Sequence, residues 1–312
     1  MARLPEDRPV TVVRAVQFDF PGGRETLRYR EAPEPELASG EVLVRFEASA
    51  VNPADLKISG GSIAPRAGTS PYTLGWDIVG TIERRADGAE TFEVGDRVVG
   101  MVRMASTGRG TWSQFVAVPA ASITLAPAAI EPAVLAQLPL VGLTALKAIE
   151  KLAPSAGDRV LVVGAGGAVG GCTVQMLARL GVECHALVRT PEQAEQLRTN
   201  PSIAAVYCGE APADSFHSII DAAGIDASAA VRAGGTYITC VPGTLPDQLE
   251  SKGAAGATAI VPESGSQIAL LLDHLADGSL HLQNPDIFRL DDFEAALTSF
   301  ASRTGRRTVL VA

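Results

Sequence analysis

The stretch that decides the fold is Arg159-Val-Leu-Val-Val-Gly164-Ala-Gly166-Gly167-Ala168-Val169-Gly170-Gly171. Four apolar β-formers lead into a run of glycines, and an apolar helical pattern follows from Val169 to Leu180. That order predicts a strand, a tight turn and a helix. Residues without Cβ let a backbone approach a pyrophosphate closely, and the helix start turns unpaired N–H groups and a positive dipole end toward it. The spacing is Gly164-x-x-Gly167-x-x-Gly170, not the strict dinucleotide fingerprint, so its position between strand and helix carries the weight. The competing reading is a packing turn with no ligand. A phosphate-loop NTPase is excluded, because no Gly-Lys-Ser/Thr follows the turn.

Outward from this motif, strands and helices alternate. Expected elements are strands at 183–188, 204–207, 217–221, 235–240 and 258–261, with helices at 191–198 and 266–276. The strands read as unbroken apolar runs, as expected where both faces of a parallel sheet are covered. The part before residue 127 is different. Runs at 12–18, 41–50, 78–84, 97–102 and 115–118 read as strands, and 60–73 and 104–110 as long loops. Residues 133–152 read as helical, interrupted by Pro139 and Gly142. The expected class is α/β: a β-rich domain over residues 1–126, completed by 279–312, and a doubly wound parallel sheet over 127–278.

A chain of 312 residues suits two domains, and 46% apolar with 20% charged residues suits a globular core. A net charge of −9 argues against phosphate-neutralising nucleic-acid binding. Four cysteines in this length are no disulfide framework. No apolar leader follows Met1, and the uncharged span 160–178 is too rich in glycine for one continuous helix, so neither a signal peptide nor a membrane span is expected. The expected location is cytoplasmic.

The strand at 183–188 ends in Val188-Arg189-Thr190. An NAD-selecting fold places an acid here for the ribose 2′-hydroxyl. This chain has arginine, whose fork suits a 2′-phosphate, so NADPH is the expected cofactor. The alternative is a solvated arginine at a helix start. Because ligands lie beyond the carboxyl ends of such strands, Ala222 and Val241 join the expected cofactor set of Gly164, Gly166, Gly167, Ala168, Val169, Gly170, Val188, Arg189 and Thr190.

Further segments carry a resemblance: Val51-Asn-Pro-Ala-Asp-Leu-Lys, Leu74-Gly-Trp-Asp-Ile-Val-Gly, Phe92-Glu-Val-Gly-Asp-Arg-Val, Gly110-Thr-Trp-Ser-Gln-Phe-Val and Leu138-Pro-Leu-Val-Gly-Leu-Thr-Ala. With the glycine loop, they occur in the order found in the zinc-independent quinone oxidoreductase branch of the medium-chain dehydrogenase/reductase superfamily, which the chain resembles over nearly its whole length. The resemblance implies a GroES-like catalytic domain, a Rossmann domain, a cofactor cleft between them and a homodimer.

Zinc-dependent relatives carry Cys where this chain has Asn52, and His-Glu where it has Trp76-Asp77. Amide and indole are not normal zinc ligands, so no metal is expected. The resemblance places Asn52 and Thr144 beside the nicotinamide. The Asn52 amide is a candidate donor to a carbonyl, its alternative being a turn residue before Pro53. Thr144 has as its alternative a hydroxyl bonded to its own helix. Asp55 is a candidate brace for the helix after Pro53, Tyr72 a candidate proton donor, and Trp76, Met104 and Trp112 candidate pocket walls or core.

The chain departs from the family at Leu56 and Gly209, where many members have Tyr, and in its short segments after Tyr207 and Val241. The expected activity is NADPH-dependent, zinc-independent reduction of a quinone or α,β-unsaturated carbonyl, with a small-molecule substrate as partner. The alternative is a non-redox cyclase or nucleotide-binding scaffold on the same fold.

Overall fold

The computed structural model describes residues 11–302 and 305–312. The segment 1–10, on which the absence of a leader was judged, lies outside them. In chain order the strands are β1 (Val12–Phe18), β2 (Arg28–Pro33), β3 (Glu41–Ala50), β4 (Tyr72–Thr73), β5 (Asp77–Arg85), β6 (Arg97–Met101), β7 (Phe115–Pro119), β8 (Ile123–Leu125), β9 (Arg159–Val163), β10 (Glu183–Val188), β11 (Ala205–Cys208), β12 (Phe216–Asp221), β13 (Val231–Thr239), β14 (Ala255–Thr258), β15 (Asp286–Arg289) and β16 (Thr308–Val311). The helices are α1 (Pro53–Ser59), α2 (Met104–Thr107), α3 (Pro132–Leu135), α4 (Pro139–Leu152), α5 (Ala168–Arg179), α6 (Pro191–Arg198), α7 (Gly265–Ala276) and α8 (Phe293–Ser302).

The chain divides into two compact units. One runs to Pro139 and takes in Glu263–Ser266 and Gln283–Ala312; the other holds Leu140–Pro262 and Gln267–Leu282. The break falls later than the expected boundary at 126/127. The reason is α3, which packs on β3, β5 and β16 and so belongs to the first unit. Pro139 does not interrupt a helix. It opens α4, as proline's missing N–H and fixed φ allow, and Gly142 lies inside that helix.

In the first unit, β3 is the central strand. It pairs antiparallel with β5, β7 and β16 within a sheet ordered β15-β16-β3-β5-β6-β8, while β1, β2 and β4 form a second, smaller sheet. Its core is built from alternating inward residues such as Val42, Val44, Phe46, Ile78, Ile82, Val98 and Val118, with Phe18, Trp112 and Phe293. The expected loop 104–110 contains the one-turn α2, closed by Gly108 at φ 74°. The expected loop 60–73 ends in β4, which pairs with β1.

The second unit is a six-stranded, all-parallel sheet ordered β11-β10-β9-β12-β13-β14. From its first strand, β9, the order reads 3-2-1-4-5-6, the doubly wound dinucleotide arrangement. The last strand differs from expectation: β14 is Ala255–Thr258, not 258–261, because Ala-Gly-Ala carries no β signal and is held by pairing with Thr236–Thr239. The Cys184 thiol meets the carbonyl of Val174, so α5 lies on the Cys184 face of β10. Asp277, just beyond α7, pairs with Arg179 of α5, and Gln267 of α7 donates to Glu150 of α4, which ties these helices together.

The opposite face carries Leu161, Val163, Leu187, Ile219 and Tyr237. The links 209–215, 222–230 and 240–254 hold no α-helix, and 3-10 turns at Ser228–Ala230 and Asp247–Lys252 supply Ala230 and Leu249 as cover. This face is therefore clad by turns where the doubly wound plan has crossover helices. Gly170 fixes the other face. A Cβ there would lie 2.2 Å from the Gly164 carbonyl oxygen, which no rotamer relieves. We predict that Gly170→Ala lowers stability by about 1–3 kcal/mol in urea unfolding, the usual range for overpacking. Gly171→Ala, whose Cβ would meet only Ala165 O at 3.6 Å, is expected to change stability by less.

Candidate active site

Because every strand of the second unit runs the same way, the turns after β9, β10, β12 and β13 gather at one edge of the sheet. Gly164 adopts φ 77°, a left-handed conformation that glycine enters freely. The N–H of Gly167 donates to the Gly164 carbonyl at 2.9 Å, and Gly167 caps α5. A Cβ at Gly164 would meet Ala223 at 2.7 Å, so the glycine turn abuts the turn after β12. Gly166 has no neighbour closer to its Cβ position than the Gln193 side chain at 3.7 Å. The first-turn N–H groups of Ala168, Val169 and Gly170 have no acceptor within the helix. The result is a backbone cradle of the shape and polarity a pyrophosphate needs.

At the end of β10, Val188 is buried and Arg189 exposed. Thr190 caps α6: its Oγ1 accepts the Gln193 N–H, and Gln193 Oε1 accepts the N–H groups of Arg189 and Thr190 at 3.2 and 3.3 Å. This capping box was legible in Thr190-Pro191-x-Gln193. Among the described residues the Arg189 guanidinium has no hydrogen-bond or ion-pair partner, which leaves its fork open to an anion.

Sequence reading missed Asp221, which closes β12 and is fully buried. Its Oδ1 accepts the N–H groups of Ala223, Gly224 and Ile225 at 2.9, 2.8 and 3.3 Å, and its Oδ2 accepts the Thr239 hydroxyl at 3.3 Å. Thr239 also meets Thr244 at 2.9 Å and accepts the Val241 N–H. Burial pushes the Asp221 carboxyl above its usual range, against the backbone donors that hold it down. This network fixes the turns that carry Ala222 and Val241. The signal was present as an Asp ending an apolar run three residues before Gly224, an Asx-turn pattern. Thr144 donates to the Leu140 carbonyl at 2.6 Å, so its proton stays in the helix and its oxygen keeps only acceptor capacity.

In the first unit, β3 delivers Asn52 to the N-cap of α1. Asn52 is 1% exposed, and both its amide protons are committed, to Asp77 Oδ2 at 2.7 Å and the Ala50 carbonyl at 3.3 Å. Its Oδ1 accepts from Arg307 at 2.9 Å. The candidate role of substrate donor is therefore replaced by that of a buried bridge between Asp77 and Arg307. Asp55 is fully buried, and its two oxygens accept the N–H groups of Asn52 and Gly75 at 2.8 and 3.1 Å. It braces the start of α1 rather than facing a substrate. Burial pushes Asp55 up to about 7; the Asn52 N–H opposes this, Asp77 adds to it, and the Gly75 N–H and Arg307 oppose it. Arg307 was not found by sequence reading, because its partners lie some 250 residues away in the chain.

Tyr72 is 8% exposed, with its ring 5.1 Å from that of Phe18, and it belongs to the core rather than to a proton-donating position. Met104 and Trp112 are likewise core, and the Trp112 indole donates to Ser49. Trp76 alone of these is half-buried, with its Nε1 enclosed and unpaired. Among the described residues no three His, Cys, Asp or Glu side chains come together as a metal-holding group.

A β-rich unit and a 3-2-1-4-5-6 parallel sheet with a glycine turn after its first strand make up the two units. Residues 38–128 match the alcohol dehydrogenase GroES-like domain. Over 180 residues, 54% of this chain and 53% of the relative, the sequence is 32% identical to the chloroplastic quinone-oxidoreductase QR1 of Triphysaria versicolor. The fold is similar to the quinone oxidoreductase of Coxiella burnetii, with TM-score 0.85, 19% identity, and 97% and 100% of the two chains covered. It is also similar to a mycobacterial protein solved in complex with NADPH, with TM-score 0.80, 23% identity, and 96% and 100% covered. The aligned stretch spans about half the length, or less, of the first curated relatives it matches. The chain thus carries a GroES-like domain of the alcohol dehydrogenase type and is similar to quinone oxidoreductases in sequence over about half its length and in fold over nearly all of it.

The buried carboxylate gives a pH prediction. Asp55 titrates near 7 in the folded chain and near 3.8 unfolded. Between those values the folded state holds a proton the unfolded state lacks, so stability falls as pH rises from about 4 to about 7. The urea midpoint of Asp55→Asn relative to the parent protein should therefore rise as pH increases from about 4 to about 7.

Proposed function

We propose that this protein is an NADPH-dependent reductase that adds hydride to a quinone or an α,β-unsaturated carbonyl compound, without zinc. The observation that carries the reading is the glycine cradle flanked by the uncommitted Arg189. Gly164 and Gly170 let α5 start tightly against the end of β9, the Cβ position of Gly166 has no neighbour closer than 3.7 Å, and the N–H groups of Ala168, Val169 and Gly170 would bind a pyrophosphate. Arg189 would take the 2′-phosphate. NADPH, when bound, supplies the hydride.

The donor chemistry speaks for a metal-free reaction. Asn52 stands where zinc relatives have Cys, and its amide is locked between Asp77, Ala50 and Arg307. Trp76 stands where they have His and offers only an N–H donor. Without a Lewis acid to polarise an isolated carbonyl, an acceptor that is already conjugated is the better match. Such a reduction draws mainly on holding cofactor and acceptor in register, which the Asp221–Thr239–Thr244 network serves by fixing the turns at the sheet edge. A second reading, nucleotide binding without turnover, is favoured by one observation: the Asn52 side chain is committed to structure.

The test is NADPH oxidation, followed by near-ultraviolet absorbance, against a panel of quinones and enones. Turnover of any acceptor supports the reductase; tight binding with no turnover supports the second reading. Arg189→Ala is expected to raise the Kd for NADPH about 10- to 100-fold, the weight of a charge-assisted contact, and to leave NADH within about twofold. Equal losses for both cofactors would remove Arg189 from the site.

A further inference from the structure

On the turn-clad face of the parallel sheet, away from the cradle, a second chemical cluster stands. Arg159 and Glu183 open β9 and β10, at the opposite end of those strands from Gly164 and Arg189. His185 lies two residues along β10 on the same face as Glu183, and its Nε2 is 2.7 Å from Glu183 Oε1. Its Nδ1 is 3.3 Å from the Tyr207 hydroxyl on β11. The His185 side chain is 5% exposed and Glu183 47%, while Tyr207 is half-buried. Phe216 holds the assembly from below, edge-on to both His185 and Tyr207 at 5.1 and 6.0 Å.

The protonation pattern follows from the partners. The His185 hydrogen bond is the largest influence on Glu183 and holds its carboxyl below the usual range, with Arg159 adding to it. Glu183 Oε1 accepts the proton on His185 Nε2, 2.7 Å away, and in the uncharged ring Nδ1 is the acceptor for the Tyr207 hydroxyl at 3.3 Å. Carboxylate, imidazole and hydroxyl are connected as in nucleophilic hydrolases, with a phenol in the nucleophile's place.

We propose that Tyr207 is an activated nucleophile that accepts an acyl group from an activated ester, with His185 as general base and Glu183 as its orienting carboxylate. Tyr207 Oη forms a bond to the acyl carbon as His185 Nδ1 takes the phenolic proton. The bond from that carbon to the leaving oxygen breaks, and the leaving group departs with the electron pair and recovers the proton from the imidazolium. The products are an O-acyl tyrosine and a free alcohol or phenol. No cofactor or oxidant enters, so this chemistry is independent of the proposed reduction.

The full chain supplies its own control. Its four tyrosines are Tyr29, Tyr72, Tyr207 and Tyr237; Tyr72 and Tyr237 are buried, and Tyr29 is partly exposed without an imidazole partner. With p-nitrophenyl acetate, peptide mass mapping should find acetyl on Tyr207 about 100-fold faster than on Tyr29, the scale of general-base assistance. Glu183→Gln should slow Tyr207 about tenfold, and His185→Phe should bring it down to the Tyr29 rate while keeping an aromatic ring on Phe216. Should His185→Phe fail to fold, Glu183→Gln decides, because that side chain is half-exposed. Equal rates on Tyr207 and Tyr29, or a Tyr207 rate unmoved by Glu183→Gln, would overturn the proposal.

Discussion

The contact on which the second unit depends is that of Gly170 with the Gly164 carbonyl. A helix can start this close to the end of a strand only where neither backbone carries a side chain at the crossing. That proximity aims the free N–H groups of α5 along the edge of the sheet and brings the turn after β9 against Ala223. From there the constraint passes on. Ala223 and Gly224 are held by the buried Asp221 carboxylate, Asp221 by Thr239, and Thr239 by Thr244. The edge that receives a dinucleotide is thus one hydrogen-bonded and close-packed series, with few side chains free to rearrange.

The first unit has its own anchor of a different kind. Asn52, Asp55, Asp77 and Arg307 form a polar knot at the junction of β3, α1, β5 and the start of β16. The zinc-dependent proteins that the sequence resembles carry Cys at the Asn52 position, and here that position serves internal structure. Burial, with the charge of Asp77 adding to it, pushes Asp55 toward neutrality. Removing one partner from such a knot leaves the others uncompensated, so the residues act as a set.

Much of the parallel sheet was legible because its signals are local. Arg159–Val163, Glu183–Val188 and Pro191–Arg198 were bounded by glycine, proline and a capping box, each acting within a few residues. What was not legible was held by partners distant in sequence. Arg28–Pro33 is a charged strand with no apolar alternation, placed by pairing with β1. Ala255–Thr258 is a strand only because β13 templates it. The site divides the same way. The glycine turn and the capping box after β10 were readable from the motif, whereas the commitment of Asn52 rests on Asp77 and Arg307, which no local pattern reveals. Tyr72 failed as a proton donor for the same reason: its neighbour Phe18 is fixed by sheet pairing.

The turn-clad face divides the dinucleotide unit energetically. Strands β9 and β10 are linked through α5, while β12, β13 and β14 are joined by short links whose turns supply Ala227, Ala230 and Leu249 as cover on one face. Amide protons in the latter strands are guarded by the ladder and a thin layer, so sub-global opening should begin there. The glycine cradle sits on the β9 and β10 side of that boundary, and the turns after β12 and β13 on the other. A dinucleotide bound across both would couple two foldons that otherwise breathe separately.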